Sequence, residues 1–80
     1  MDYHFPVLRY VAAPDGRWRA DLDAGHGLVG QFFTATRNPA VVVGQTLVFR
    51  PLRPGFSEIR TPDGALIPVL PDPRLGTLIR

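Results

Sequence analysis

The sequence predicts an all-β fold: a single small antiparallel barrel or compact sandwich of about six strands, with little or no helix. Three observations carry that expectation. Nine Pro and eight Gly fall among 80 residues, and both residue types are poor in helix interiors. The same turn occurs twice, as Ala13-Pro14-Asp15-Gly16-Arg17 and as Thr61-Pro62-Asp63-Gly64-Ala65. Between the two turns lie runs rich in Val, Phe and Thr, while no stretch shows a 3.6-residue period.

In each turn Pro presets φ at the first position, Asp suits the second, and Gly takes the left-handed position that closes a hairpin. The first hairpin, from about Val7 to Leu22, then has a defined register. Ala12 faces Trp18, Tyr10 faces Ala20 and Leu8 faces Leu22, giving one continuous apolar face that includes Trp18 in the core. The other face carries Arg9 opposite Asp21 and Val11 opposite Arg19, with Arg17 beside them.

The next strands are expected over Leu28 to Thr36 and Ala40 to Phe49, separated by Arg37-Asn38-Pro39. Val41-Val42-Val43 is apolar on both faces, which points to a central, doubly covered strand with a bulge or bend at Gly44. Leu52-Arg53-Pro54-Gly55 reads as a turn. The second Pro-Asp-Gly turn sets Ile59 opposite Ile67 and Arg60 opposite Leu66. Pro68 donates no ladder hydrogen bond, so that strand ends there or lies at an edge. Leu75 to Ile79 reads as a last short strand. The chain is expected to be one β domain, 1–80, with 71–80 as a candidate docking tail.

Length and composition exclude much. Eighty residues are too few for a Rossmann domain, a TIM barrel or an α/β-hydrolase. With no cysteine there is no disulfide and no thiolate nucleophile or zinc ligand. The nine basic residues, all Arg, stand against seven acidic ones, a weak excess for a phosphate binder. No apolar run approaches the roughly 20 residues of a membrane span, and Met1-Asp2-Tyr3-His4 lacks the features of a secretory signal. A cytoplasmic or virion-associated location is the expectation.

Candidate chemical motifs are sparse. Gly25-His26-Gly27-Leu28-Val29-Gly30 matches G-x-G-x-x-G, but the following residues read as strand instead of the helix that a pyrophosphate requires. A loop between strands is the expected role. Asp21, Asp23 and His26 make D-x-D-x-x-H, with Asp21 already assigned to Arg9 and no fourth ligand evident. Ser57, the only serine, sits in a strand with neither histidine near it in sequence. Neither catalysis, a metal nor a cofactor is expected.

Val43-Gly44-Gln45-Thr46-Leu47-Val48-Phe49 resembles the G-Q-x-V-x-F strand of cold-shock-type OB barrels, and Gly25-His26-Gly27-Leu28-Val29 loosely resembles their G-Y-G-F-I segment. The resemblance is confined to these short segments. The aromatic RNA-binding strands of that family have no clear counterpart here.

Two functions remain. The first is a non-catalytic protein–protein interaction module, such as a small structural subunit of a virion, tail or other assembly, with a protein partner or as a homo-oligomer. Its expected contact residues are Val7, Arg9, Val11, Arg17 and Arg19 on the first hairpin, and Arg74, Leu75 and Leu78 in the tail. Arg suits such surfaces because its planar fork binds carboxylates and carbonyls and is weakly hydrated. The alternative is a nucleic-acid-binding barrel of OB or SH3-like type.

Overall fold

Strand-forming residues between tight turns give six antiparallel strands and no helix among the described residues. A computed structural model describes residues 2–53 and 56–70. The strands are β1 (Tyr3–Ala12), β2 (Trp18–Gly25), β3 (Leu28–Thr34), β4 (Thr46–Arg53), β5 (Phe56–Arg60) and β6 (Leu66–Ile67). They form one sheet in the order β3-β2-β1-β4-β5-β6. The smallest principal extent of the molecule is 25 Å, well above the ~10 Å spacing of a single flat layer, so the sheet curls around its own core. Among the described residues it does not close into a barrel.

β1 explains the curl. Its first part, Tyr3 to Pro6, pairs with β4, and its second part, Val7 to Ala12, pairs with β2. Pro6 lies where β1 changes partner, a place where the missing N–H does least harm to a ladder. A bulge between Val7 and Arg9 then re-aims the strand.

This bulge corrects the expected register of the first hairpin at one point. Ala12–Trp18, Val11–Arg19, Tyr10–Ala20 and Arg9–Asp21 pair as expected, but Leu22 faces Val7 instead of Leu8. Leu8 is the extra residue and is left half exposed, while Val7 turns into the core at 2% exposure. Val7 is therefore no surface contact residue. Trp18 is also only partly buried, packed against Tyr10 with ring centroids 5.2 Å apart.

The concave side holds the core: Val7, Ala20, Leu22, Phe32, Val41, Leu47, Phe49, Ile59 and Ile67. Phe32 meets Phe49 edge-on at 6.1 Å, which joins the two halves of the sheet across the interior. Val41 enters this core from a loop, not from a strand. Asn38 accepts the Ala40 and Val41 N–H groups through its side chain and carbonyl, and a second turn joins Gln45 N–H to the Val42 carbonyl. Gly44 sits at φ 89° in that turn, a conformation that side chains disfavour. These local bonds override the strand preference of three valines. Val42 and Val43 are consequently exposed instead of doubly covered, and β4 starts only at Thr46.

The segment from Gly25 to Gly30 is a hairpin, not a strand-to-helix turn. His26 and Gly27 both have positive φ, 54° and 76°, as a two-residue type I′ loop requires. Of the turn expected at Leu52 to Gly55, Leu52 and Arg53 belong to β4, and Pro54 and Gly55 lie outside the described residues. So does the strand expected over 75–79.

Candidate interaction surfaces

The outer face of the first hairpin is built around a carboxylate that cannot reach water easily. Asp21 is 8% exposed, and a buried carboxylate needs charge and hydrogen-bond partners to offset lost hydration. Strand alternation supplies them. Arg19, two residues along β2, places Nε 3.0 Å from Oδ1 and Arg9, across on β1, places Nε 3.8 Å from Oδ2. The Arg19 Nε–H makes no hydrogen bond; its Nη2 donates to Asp21 Oδ2 at 3.4 Å. Gln31 on β3 donates its amide to Oδ1 at 3.3 Å. Asp21 is thus occupied by side chains of this sheet. Asp23 is spent on a local bond, accepting the Gly25 N–H at 2.9 Å. Among the described residues no three His, Cys, Asp or Glu side chains gather as a metal site.

Arg17 lies on the same face, with its guanidinium 4.1 Å above the Phe33 ring. It also binds Asp15 in the preceding turn, Nε to Oδ2 at 2.6 Å. Arg17, Arg19, Gln31 and Phe33 line an open cleft of about 420 Å³ with Ala13, Pro14 and Asp15. Of the contact residues expected on this hairpin, Arg9, Val11, Arg17 and Arg19 do share this face. Arg74, Leu75 and Leu78 lie outside the described residues.

A second site sits at the seam where the two ends of the sheet approach. After β6 the chain crosses to the far edge, and Leu70 donates its N–H to the Phe33 carbonyl at 2.8 Å. A cleft of about 340 Å³ opens there between Thr34–Pro39 and Pro68–Leu70. The Tyr10 hydroxyl organises its wall. It accepts the Asn38 N–H at 2.8 Å and lies 2.6 Å from the Thr34 hydroxyl, which donates to the Thr36 carbonyl at 2.7 Å. This relay bends the chain out of β3 at Thr34, two residues earlier than the sequence pattern indicates.

Arg37 rises from that wall with its guanidinium 6.0 Å from the Trp18 ring. It alone, of the arginines whose side chains are described, forms no ion pair among the described residues. Strand alternation alone assigns Tyr10 and Trp18 to the core, which conceals this group. Their diagonal spacing across a defined hairpin register was the available signal.

A third surface lies over β5 and β6. Leu52 and Leu66 are 62% and 56% exposed, and with Glu58, Ile59, Ile67, Pro68 and Val69 they bound an open groove of about 440 Å³. Leu66 points outward because its neighbour Ile67 takes the inward position opposite Ile59. Ser57 lies opposite Pro51 in the β4–β5 ladder. No described helix is long and apolar enough to cross a membrane.

Together these features define a small, strongly curved all-β sheet with Arg9, Arg17 and Arg19 on one outer face and an exposed aliphatic groove on another. No protein-family model matches the chain, and no curated protein or solved structure matches it at a significant level.

Proposed function

We propose that this chain is a non-catalytic protein–protein interaction module, used as a small structural subunit of a larger assembly such as a virion or tail. The observation that carries the reading is the pair of exposed leucines, Leu52 and Leu66, on one groove. Single exposed aliphatic residues are ordinary, whereas neighbouring ones beside a groove mark contact surfaces. Arg9, Val11, Arg17 and Arg19 add a second surface of the mixed apolar and Arg type common in interfaces. Arg74, Leu75 and Leu78 belong to the same proposal.

Sedimentation velocity across a range of concentrations tests it. Self-association, or a stoichiometric complex with a protein partner, is expected, and Leu52→Asp with Leu66→Asp should abolish it while leaving the fold intact. A monomer that binds no protein, or an assembly indifferent to both substitutions, contradicts the reading.

Arg37 beside Trp18 supports a second reading, nucleic-acid binding by a curved β-sheet. Arg binds phosphate and a partly exposed indole offers a stacking surface. Against it, the five other arginines with described side chains are engaged by carboxylates of the same chain. Fluorescence anisotropy with single-stranded DNA and RNA should therefore show no binding tighter than ~10⁻⁵ M near physiological salt. Submicromolar binding that weakens steeply with salt reverses the ranking.

A further inference from the structure

Arg17, just before β2, and Arg19, within it, are two residues apart, so the alternation of an extended chain turns both to the outer face. There they line the cleft of about 420 Å³, whose apolar lining is Ala13, Pro14 and Phe33. The Arg17 guanidinium is fixed twice, by the Phe33 ring at 4.1 Å and by Asp15 at its Nε. Cation–π attraction and an ion pair hold this charge in place before any ligand arrives, which lowers the ordering cost of binding. Arg19 is fixed by Asp21 through Nε and Nη2. The two side chains nevertheless keep 40% and 32% of their surface exposed.

Hydrogen-bonding capacity remains after these contacts. A guanidinium is a planar fork with donors on all of its nitrogens. Among the described residues Arg17 spends Nε on Asp15, and Arg19 spends Nη2 on Asp21. The terminal nitrogens of such a fork match the paired oxygens of a carboxylate. Charge selects the same ligand. Arg9, Arg17 and Arg19 set against Asp15 and Asp21 leave this face one positive charge in excess. That excess suits a single carboxylate and falls short of the successive phosphates of a nucleic-acid strand. The apolar lining beside the charges suits an aliphatic neighbour of that carboxylate.

We infer that the Arg17–Arg19 cleft takes an Asp or Glu side chain of a protein partner. The carboxylate sits on the terminal nitrogens of Arg17 with Arg19 beside it, and an adjoining aliphatic residue lies against Pro14 and Phe33. The inference rests on the interaction-module reading for the source of the carboxylate, and it names the chemistry of the partner at this second surface.

NMR titration of the full chain with two capped peptides, acetyl-Leu-Glu-Leu-amide and acetyl-Leu-Gln-Leu-amide, tests it. The signals followed are the Arg17 and Arg19 Nε–H groups and the Gln31 side-chain amide. The Glu peptide should shift them saturably, with half-saturation at about 1 mM, and the Gln peptide should bind at least ~10-fold more weakly. Arg17→Gln should weaken binding of the Glu peptide at least ~10-fold, and Arg17→Lys, which keeps the charge without the fork, should weaken it too. Backbone amides of β4 and β5 report whether each variant is folded. Three results overturn the inference. One is an equal response to the two peptides, or none to either. Another is unchanged affinity in a folded Arg17→Gln variant. The third is a stronger response to inorganic phosphate than to the Glu peptide at equal concentration, which gives the cleft to a phosphate ligand. Leu52→Asp with Leu66→Asp alters the other surface and should leave peptide binding intact. Peptide binding by a chain that joins no protein contradicts the module reading and leaves the carboxylate site. Assembly without peptide binding sinks the site and leaves the module reading.

Discussion

The β1–β2 and β5–β6 hairpins are built on the same turn, and they differ in almost everything beyond it. In the first, Ala13 N–H bonds the Arg17 carbonyl and Gly16 N–H bonds the Ala13 carbonyl; in the second, Thr61 and Ala65, and Gly64 and Thr61, repeat the pattern. Gly16 and Gly64 sit at φ 89° and 94°. From the first turn the ladder runs to Val7 and Leu22. From the second it runs for two pairs and stops. The turn specifies its own geometry and the first pairs; the residues that follow decide how far the ladder extends. After Arg17 come five residues that alternate cleanly, Trp18 to Leu22. After Ala65 come Leu66 and Ile67, and then Pro68 ends pairing.

The largest expected contrast lies in the core residues of the two hairpins. Leu22 and Ile67 are both about 1% exposed, and truncating such a side chain to Ala costs about 2–5 kcal/mol, depending on how far the site can collapse. Leu22 is held by neighbours on both sides, Val7 on β1 and Gly30 on β3, so Leu22→Ala should fall in the upper half of that range. Among the described residues Ile67 is paired on one side only, with Ile59. Its short edge strand can settle inward, and Ile67→Ala should cost measurably less. Chemical denaturation of the two variants checks this, and equal costs would mean that strand length does not set the stiffness of the two regions.

A smaller effect tests whether the turns are equivalent. A Cβ added at Gly16 or Gly64 meets nothing within 4 Å, so the cost of Ala there is backbone strain alone. For an L-residue held in the left-handed region that is about 1–2 kcal/mol. Gly16→Ala and Gly64→Ala should therefore destabilise by the same amount, within error, in thermal or denaturant unfolding. A clear difference would show that the ladder beyond the turn feeds back on it.

The same contrast explains what was legible in the sequence. Both Pro-Asp-Gly turns, the pairs next to them, the all-β class and the Arg9–Asp21 pair follow from local chemistry, and the structure shows all of them. The Leu8–Leu22 pair failed because β1 serves two partner strands, and the bulge that makes this possible answers to β4 and the Val41–Gln45 loop, far along the chain. Val41 to Val43 failed because Asn38 and Gly44 form turns that outweigh β propensity. Of the candidate contact residues, Arg9, Val11, Arg17 and Arg19 share the expected face because period-two alternation from a firm turn is reliable. Val7 left the set when the bulge shifted the alternation by one. The Tyr10–Trp18 pair was legible in the hairpin register, but Arg37 was hidden because it reaches Trp18 from the loop after β3, whose path is set by the hydrogen bonds of Tyr10, Thr34, Thr36 and Asn38.

The smallest expected effect is electrostatic, and it distinguishes the turns by mechanism. Asp15 is held below the ordinary carboxylate value of 3.8 chiefly by the backbone N–H of Arg17, assisted by its guanidinium. Asp63 is also lowered, chiefly by the Thr61 hydroxyl. A carboxylate depressed in the folded state contributes stability that is fully present above its unfolded value. That contribution disappears as pH falls through the lower folded value. Both turns should therefore weaken only below about pH 4, with no change from these groups between neutrality and about pH 5. The contribution is small because both carboxylates are exposed to solvent, which screens them. Salt should separate the two cases. The Asp15 site includes a full cation, Arg17, whereas Asp63 is held by a neutral hydroxyl, so added salt should weaken the first more than the second. The measurement is thermal unfolding from neutral to acid pH, at low and high salt, for Asp15→Asn and Asp63→Asn. Each variant should show a shallower acid limb than the parent chain, and the difference at Asp15 alone should shrink with salt. If salt affects both equally, Arg17 contributes nothing to its turn beyond its backbone N–H, and the two hairpins are alike in their electrostatics as well as their geometry.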